Sequence, residues 1–189
     1  PLTRQPSLTD HKVQDYVVDD FNEQDLFSSA DLNRDGRKDL WSKSRIVLNT
    51  LNRGTSATMT ATADLMIADQ PTTHCEYRLT SAIGDLDLNG NQDVIAEEII
   101  RGDNGTALDW NLVWLENLGG TAPSYRRHYL FNKEIFSSYS LVDIDGDGDL
   151  DLIVTELKTD PDGLGRYYSH WFENLGPTPS IRVEDDGIH

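Results

Sequence analysis

The sequence has little cysteine, little positive charge and no long apolar run. Cys75 is the single cysteine among 189 residues, so an intramolecular disulfide is excluded. No apolar stretch approaches the roughly 18 residues that a membrane-spanning helix needs. Lys and Arg number 16 against 33 Asp and Glu, which gives a net charge of −17. Such a balance argues against nucleic acid and anionic membrane surfaces as partners.

The acidic residues include a dense cluster in one short loop. Residues 143–151 read Asp-Ile-Asp-Gly-Asp-Gly-Asp-Leu-Asp, with aspartates at positions 1, 3, 5, 7 and 9. Alternate carboxylates on a tight turn converge on one point and repel each other unless a cation lies between them. Ca²⁺ suits such a loop best, because it accepts 6–8 oxygen ligands in flexible geometry. Gly148 at position 6 fits the sharp turn that these loops make.

The same pattern occurs twice more. Positions 1, 3, 5, 6 and 9 are Asp, Asp, Asn, Gly and Asp in 85–93, and Asp, Asn, Asp, Gly and Asp in 31–39. A single copy would also fit a solvated turn stabilised by Asx hydrogen bonds. Three copies favour a metal-binding loop over that alternative.

The loops differ from EF-hands. The bidentate Glu that an EF-hand has at position 12 is replaced by Ser42, Ala96 and Val154. Apolar, β-prone residues follow position 9 in each copy, as in Leu40-Trp41. We therefore expect each loop to join two strands.

The loops mark an internal repeat of a little over 50 residues. They start at 31, 85 and 143, so the intervals are 54 and 58 residues. A second marker, Trp-Leu-Glu-Asn-Leu-Gly at 114–119, recurs as Trp-Phe-Glu-Asn-Leu-Gly at 171–176, and a degraded copy spans 47–54. A period near 55 with four short strands in each repeat is typical of a β-propeller blade.

The predicted fold is all-β, with three four-stranded antiparallel propeller-type blades and an extra N-terminal strand. The blades are expected at 26–77, 78–135 and 136–189, and the extra strand at about 11–18 within the segment 1–25. The predicted strands are about 26–30, 39–43, 45–51 and 57–67, then 78–84, 93–100, 110–117 and 124–131, then 138–142, 151–157, 166–174 and 180–184.

On the loops and the Trp-x-Glu-Asn-x-Gly marker, residues 26–185 resemble the FG-GAP/VCBS repeat family, which includes the calcium-binding blades of integrin-α-type propellers. The resemblance implies a Ca²⁺ ion in the loop between the first two strands of each blade, about three ions in all. It also implies ligands at positions 1, 3, 5 and 9 and, through the backbone carbonyl, at position 7. These ligands are Asp31, Asn33, Asp35, Arg37, Asp39, Asp85, Asp87, Asn89, Asn91, Asp93, Asp143, Asp145, Asp147, Asp149 and Asp151.

The blade count departs from the family pattern. Propellers close with 4–8 blades, whereas this sequence has three repeats. The chain is then a fragment of a larger propeller, or two copies close a ring of six, or copies stack into an open filament. In the last arrangement the strand at 11–18 would complete a neighbour's sheet. We expect the main partner to be another copy of the chain.

Several other residues invite a functional interpretation. Trp114 and Trp171 recur in register, which favours packing between blades over stacking on sugars. Glu116 and Glu173 also recur, which favours structural hydrogen bonds over acid–base catalysis. His-Cys-Glu at 74–76 has no accompanying ligand cluster, so we expect a plain loop there.

One predicted turn carries two short motifs. Arg-Gly-Asp at 101–103 is a tripeptide that adhesion receptors read, although chance occurrence explains it better. Asn104 begins an Asn-Gly-Thr acceptor sequence for N-glycosylation, which is used only in a glycosylating organism.

Three functional classes follow. The first is a non-enzymatic, calcium-stabilised structural, assembly or adhesion subunit, forming oligomers or filaments outside the cell or at its surface, where calcium is plentiful. The second is a carbohydrate-binding lectin of propeller type. The third is a sugar-active lyase or hydrolase, which ranks last because the sequence contains no catalytic constellation.

Overall fold

The computed structural model describes residues 28–42, 45–49, 60–64, 66–68, 75–132 and 136–176. Strands, turns and bends make up this part of the chain, and it contains no helix, so the predicted all-β class is confirmed. These described residues contain twelve strands: β1 Ser28–Ala30, β2 Asp39–Ser42, β3 Arg45–Leu48, β4 Thr60–Asp64, β5 Met66–Ala68, β6 Cys75–Gly84, β7 Asp93–Arg101, β8 Ala107–Asn117, β9 Ser124–Asn132, β10 Phe136–Val142, β11 Asp151–Thr159 and β12 Gly165–Phe172.

The strands form three sheets, and each sheet is built largely from one sequence repeat. The first sheet has the order β1-β2-β3-β4, the second β5-β9-β8-β7-β6, and the third β10-β11-β12. All neighbours pair antiparallel except β5 and β9. The four strands predicted for the second repeat are therefore confirmed, as are the first three of the third. The predicted strands at 11–18 and 180–184 lie outside the described residues.

The junction of the first two sheets differs from expectation. The prediction of one strand over 57–67 is wrong, because Thr60–Asp64 pairs within the first sheet whereas Met66–Ala68 pairs in parallel with β9 of the second. Ile67 is the register partner of Tyr125 in this pairing. β6 begins at Cys75, slightly before the predicted repeat limit at 78. The chain thus crosses from one sheet to the outer edge of the next before the second repeat begins.

The second sheet buries both of its faces, because successive side chains of a strand point to opposite sides. On β7, Val94 and Ala96 belong to one hydrophobic cluster and Ile95 to another. Cluster 1 joins the first and second sheets: Ala30, Leu32, Trp41, Ile46, Leu48, Tyr77, Val94, Ala96, Val113, Leu115 and Tyr125. Cluster 2 joins the second and third: Ala82, Leu86, Ile95, Leu112, Trp114, Leu152, Val154 and Phe172. The middle repeat therefore packs against both of its sequence neighbours.

The second and third sheets approach closely at Gly84. A β-carbon at this glycine would lie 2.5 Å from Leu150 Cδ1 and 3.2 Å from Leu141 Cδ1. Tyr139 of β10 also donates its hydroxyl proton across the interface to Glu97 Oε1, at 2.5 Å. Both contacts fix the third sheet, and the loop that follows β10, against the second sheet.

Candidate metal sites

The three Asp-rich loops, numbered loop 1 (31–39), loop 2 (85–93) and loop 3 (143–151), share one hydrogen-bond scaffold. In each, the N–H of the position 6 glycine donates to the carboxylate at position 1. The distances are 2.9 Å for Gly36 to Asp31, 2.8 Å for Gly90 to Asp85 and 3.2 Å for Gly148 to Asp143. The three glycines have φ of 83°, 88° and 99°, a left-handed conformation that favours glycine. The predicted sharp turn at position 6 is confirmed.

Positions 3 and 5 are held by the same kind of bond. The position 5 N–H donates to the position 3 side chain in Asp35 to Asn33 (3.2 Å), Asn89 to Asp87 (3.1 Å) and Asp147 to Asp145 (3.2 Å). The position 7 N–H donates to the position 5 side chain in Arg37 to Asp35 (2.9 Å), Asn91 to Asn89 (2.7 Å) and Asp149 to Asp147 (3.1 Å). The backbone thereby orients three side-chain oxygens of each loop without using all of their lone pairs.

The aspartate at position 9 anchors the loop to the sheet. Asp39, Asp93 and Asp151 are buried and begin β2, β7 and β11. One carboxylate oxygen accepts the position 2 N–H, at 2.9, 3.0 and 3.1 Å in loops 1, 2 and 3. The other accepts the N–H of an asparagine at the end of the third strand of the repeat, at 2.8, 2.7 and 2.9 Å. This residue therefore has a structural role beside any role as a ligand.

The asparagines that bond position 9 are Asn49, Asn117 and Asn174, and the last two also link adjacent sheets. Asn117 Nδ2 donates to the Leu32 carbonyl of loop 1 at 2.9 Å, and Asn174 Nδ2 donates to the Leu86 carbonyl of loop 2 at 2.8 Å. Sequence reasoning missed this role. The spacing in the sequence could have indicated it, because Asn117 and Asn174 follow the position 9 aspartates of their repeats by 24 and 23 residues.

Two of the loops bring carboxylates together at distances that could hold a metal ion. Asp85, Asp87 and Asp93 each offer an oxygen, and these oxygens all lie within 4.8 Å of one another. Asp143, Asp145 and Asp147 form a second, exposed group of the same kind. The buried Oδ1 of Asp85 has no hydrogen-bond partner among the described residues, so a cation would satisfy it. An all-oxygen donor set suits a hard ion such as Ca²⁺.

The surroundings of several loop carboxylates disfavour their charged forms. Burial raises the pKa of Asp93 to about 7, with a further increase from Asp87, against the lowering effect of the N–H bonds from Asn117 and Leu86. Burial likewise raises the pKa of Asp39 and of Asp87. A bound divalent ion would favour the charged forms.

Loop 3 contains an additional acidic residue at position 7. Asp149 is buried, and its Oδ1 has no hydrogen-bond partner within the part of the chain that the structure describes. Burial, together with Asp147 and the other nearby carboxylates, raises its pKa to about 6. Loop 3 is thus the most strongly acidic of the three loops.

Loop 1 carries cations of its own. The guanidinium of Arg37 pairs with the position 5 carboxylate of Asp35 and donates from Nε to the Asn49 carbonyl at 2.6 Å. Arg34 reaches loop 2, where a β-carbon at Gly90 would lie 3.0 Å from its Nη2. Arg37 therefore partly balances the acidic residues of loop 1, whereas Arg34 lies against loop 2.

Comparison with protein-family models, with curated proteins and with solved structures finds no match for this chain. The resemblance to FG-GAP/VCBS repeats therefore stays a prediction that rests on the loops and the marker. Across the described residues, no helix is long and apolar enough to cross a membrane.

The turn with the two short motifs connects β7 and β8. Arg101 pairs with Glu76 of the neighbouring strand and donates to the Gly105 carbonyl at 3.0 Å, so its side chain is held against the sheet. Asn104 is exposed, and its side-chain oxygen accepts the Thr106 N–H at 3.0 Å. The acceptor sequence is therefore accessible to a modifying enzyme, whereas the Arg101 side chain is engaged within the sheet.

The tryptophans divide between interior and surface. Trp114 is buried in cluster 2, between the second and third sheets, as predicted from the repeats. Its ring stacks on His128, with the ring centroids 4.2 Å apart. Trp41 is buried in cluster 1, edge-on to Tyr125 at 5.2 Å. Trp171 is 49% exposed, although it occupies the same place in its repeat as Trp114. Inter-sheet packing is thus found for Trp114 but not for Trp171.

The repeated glutamates have different surroundings. Glu116 accepts from Arg126 at 3.1 Å and lies 2.7 Å from His128 Nε2, in line with the predicted structural bonds. Glu173 is exposed. The expected loop at 74–76 is wrong for Cys75 and Glu76, which lie in β6, and residue 74 is outside the described residues.

Sequence reasoning missed a buried charged network on the second sheet. Glu98 accepts from Tyr77 at 2.9 Å, from Asn111 at 3.0 Å, and from Arg127 at 2.6 and 2.5 Å. Burial acts to raise the pKa of Glu98, but these bonds outweigh it and lower the pKa. A matching glutamate, Glu156, occurs at the same distance after position 9 in the third repeat, and this recurrence was the available signal.

Proposed function

We propose that this chain is a non-enzymatic, calcium-stabilised structural subunit with three propeller-type blades, acting in assembly or adhesion outside the cell or at its surface. The observation that carries the proposal is the triplicated loop, in which the same backbone bonds orient side-chain oxygens at positions 1, 3 and 5. In two of the three loops, carboxylate oxygens lie within 4.8 Å of one another. Three copies of one scaffold favour a shared ligand over three independent turns.

Calcium would act on stability. With a net charge of −17, the folded chain concentrates repulsive charge in its loops, and three divalent ions would offset six of those charges. Because Asp39, Asp93 and Asp151 begin the second strand of each repeat, an ion held beside them would also fix the turn between the first two strands. The ion would stabilise the folded chain by binding it in preference to the unfolded chain.

Thermal unfolding with calcium and with chelator tests the proposal. We expect the melting temperature to fall on chelation and to recover when calcium is restored. In calcium, Asp145→Ala combined with Asp147→Ala should lower the free energy of unfolding by about 1–3 kcal/mol, since one site is lost. The matched control is Asp103→Ala with Glu173→Ala, which removes two exposed carboxylates outside the loops. An unchanged melting temperature on chelation of the unaltered chain would refute calcium binding.

A lectin is the second candidate, because Trp171 and Tyr167 expose aromatic rings on one face of the third sheet. Exposed aromatic faces are suited to stacking on sugars. A glycan array with the unaltered chain and with Trp171→Ala separates this function from the first. Binding that Trp171→Ala abolishes would favour the lectin.

A further inference from the structure

The outward face of the third sheet exposes several large apolar side chains. It lies opposite cluster 2 and contains the cross-strand pairs Ile153–Trp171 and Leu157–Tyr167. Trp171, Leu157 and Tyr167 are all among the exposed large hydrophobic residues. The polar pair Thr155–Ser169 lies between these two pairs, with its hydroxyl oxygens 3.0 Å apart. Clustered apolar side chains on a surface mark an interaction site more often than scattered ones do.

The second sheet has apolar pairs at the corresponding register positions and buries three of their four residues. Ile95 pairs with Trp114, and Ile99 pairs with Trp110. Ile95, Ile99 and Trp114 are buried, and Ile95 and Trp114 pack in cluster 2 against the third sheet. The third sheet therefore repeats, on its outward face, the surface with which the second sheet receives its successor.

Loop 3 shows the same contrast. Its position 2 residue, Ile144, is 44% exposed, whereas Leu32 and Leu86 at this position are 0% and 2% exposed. The carbonyls of Leu32 and Leu86 each accept an asparagine side chain from the following sheet. Loop 3 and the outward face thus form one surface that matches the contact made by a following repeat.

We propose that this surface binds the first sheet of a second copy of the chain, head to tail. The inference rests on the proposed function, since it names the surface through which the subunit would assemble. Leu40 is the residue of the first sheet that corresponds to Val94 and Leu152, both buried against a preceding sheet. Asn49 corresponds to Asn117 and Asn174 and already makes their bond to position 9. In the complex, Asn49 of one copy donates to the Ile144 carbonyl of the other.

Charge favours the head-to-tail arrangement. Loop 3 has five aspartates and no basic residue, whereas loop 1 has Arg34, Arg37 and Lys38. Lys38 is exposed and stands at position 8, where Leu150 of loop 3 contacts Gly84 of the preceding sheet. Docking the first sheet on the third places Lys38 beside the most acidic loop. Docking two third sheets on each other would instead bring two acidic loops together, which costs affinity.

Sedimentation velocity of the full chain across a concentration series tests the interface. We expect the unaltered chain to associate, as a closed pair or a longer filament, and Trp171→Glu to weaken association at least about tenfold. The control, Leu108→Glu, alters an exposed apolar residue outside this surface, at the β7–β8 hairpin, and should associate normally. Lys38→Glu, on the opposite face, should also weaken association, and its exposed position makes a folding defect unexpected.

Mixing two defective chains tests the head-to-tail geometry. Trp171→Glu retains an intact first sheet, and Leu40→Glu retains an intact third sheet. Neither should associate alone, and their mixture should form a pair that grows no further. A mixture that stays monomeric would overturn the proposal, as would a monomeric unaltered chain or an associating Trp171→Glu. A monomeric chain that binds glycans through Trp171 would assign this face to sugars instead.

The same samples separate this inference from calcium binding. Melting temperatures measured with calcium and with chelator report on the loops whether or not the chain associates. A calcium-dependent melting temperature in a monomeric chain would leave the proposed metal sites standing and remove the interface. Association of a chain whose melting temperature does not respond to chelator would leave the interface standing and remove the proposed metal sites.

Discussion

Two buried carboxylates of the second sheet show how hydrogen-bond and charge partners determine the pKa of an acidic side chain. Glu98 faces the guanidinium of Arg127, and its pKa is lowered despite burial. Asp93 is bonded by two backbone N–H groups, and its pKa rises to about 7 because burial dominates. Glu98 therefore contributes a satisfied ion pair, whereas Asp93 is a site where a cation would stabilise the charged form.

Neighbouring arginines on β9 provide a matched test of the ion pair. Arg127 is 14% exposed and pairs with buried Glu98, whereas Arg126 is 49% exposed and pairs with Glu116. We expect Arg127→Gln to lower the free energy of unfolding by about 3–5 kcal/mol, because it leaves a buried charge uncompensated. Arg126→Gln should change it by less than about 1 kcal/mol. Denaturant unfolding measures both, and equal losses would contradict the structural role of the network.

At the scale of elements, the asparagine that follows the third strand of a repeat connects neighbouring sheets. Asn117 is buried, and its side chain donates to the carbonyls of Leu32 and Gln92. We expect Asn117→Ala to cost about 1–3 kcal/mol of unfolding free energy, since buried carbonyls lose their donors. Asn132→Ala, which removes an exposed amide from the neighbouring strand, should be nearly neutral. A neutral Asn117→Ala in chemical denaturation would exclude a stabilising role for the inter-sheet bond.

The sequence was informative about elements whose partners are close in the chain. Strands of the second repeat could be predicted because alternating apolar residues and glycine turns mark hairpins locally. The division of 57–67 could not be predicted, because β5 pairs in parallel with a strand that begins at Ser124. Pairing across such a distance depends on tertiary contacts that local propensity does not contain.

In the candidate sites, too, contacts between residues close in the chain could be predicted, and contacts between distant residues could not. The loop scaffold could be predicted because positions 1, 3, 5 and 6 are bonded to each other within a few residues. The Asn117 and Glu98 contacts could not, because their partners lie on other strands or another sheet. Trp114 and Trp171 have almost the same local sequence and differ in burial only through the sheet that covers one of them.

For the whole molecule, pH acts through the carboxylates of the three loops. Asp39, Asp87, Asp93 and Asp149 have raised pKa values, first because of burial. Between the ordinary and the raised pKa, the folded chain holds protons that the unfolded chain has lost, so stability falls as pH rises. For Asp93 this window runs from 3.8 to about 7. Glu98 acts in the opposite direction, with stability lost as pH falls below its ordinary value of 4.5.

In chelator, we therefore expect the melting temperature to decrease from about pH 5 to about pH 8. Calcium should raise it more at the higher pH, because metal binding requires deprotonated carboxylates. Differential scanning calorimetry at several pH values, with and without calcium, measures both trends. A chelated chain that becomes more stable towards pH 8 would show that burial of these carboxylates does not govern its pH dependence.

The inter-sheet asparagine bonds have a direction along the chain. Asn117 reaches back to loop 1 and Asn174 reaches back to loop 2, so each repeat supplies the donor to an acceptor that precedes it. During synthesis, the acceptor loop has already left the ribosome when its donor strand emerges. Each new sheet can then dock on one that is already folded. The apolar face that remains exposed at each stage is the outward face of the sheet that folded last. The face that would receive a following repeat is thus the face that we propose receives another subunit.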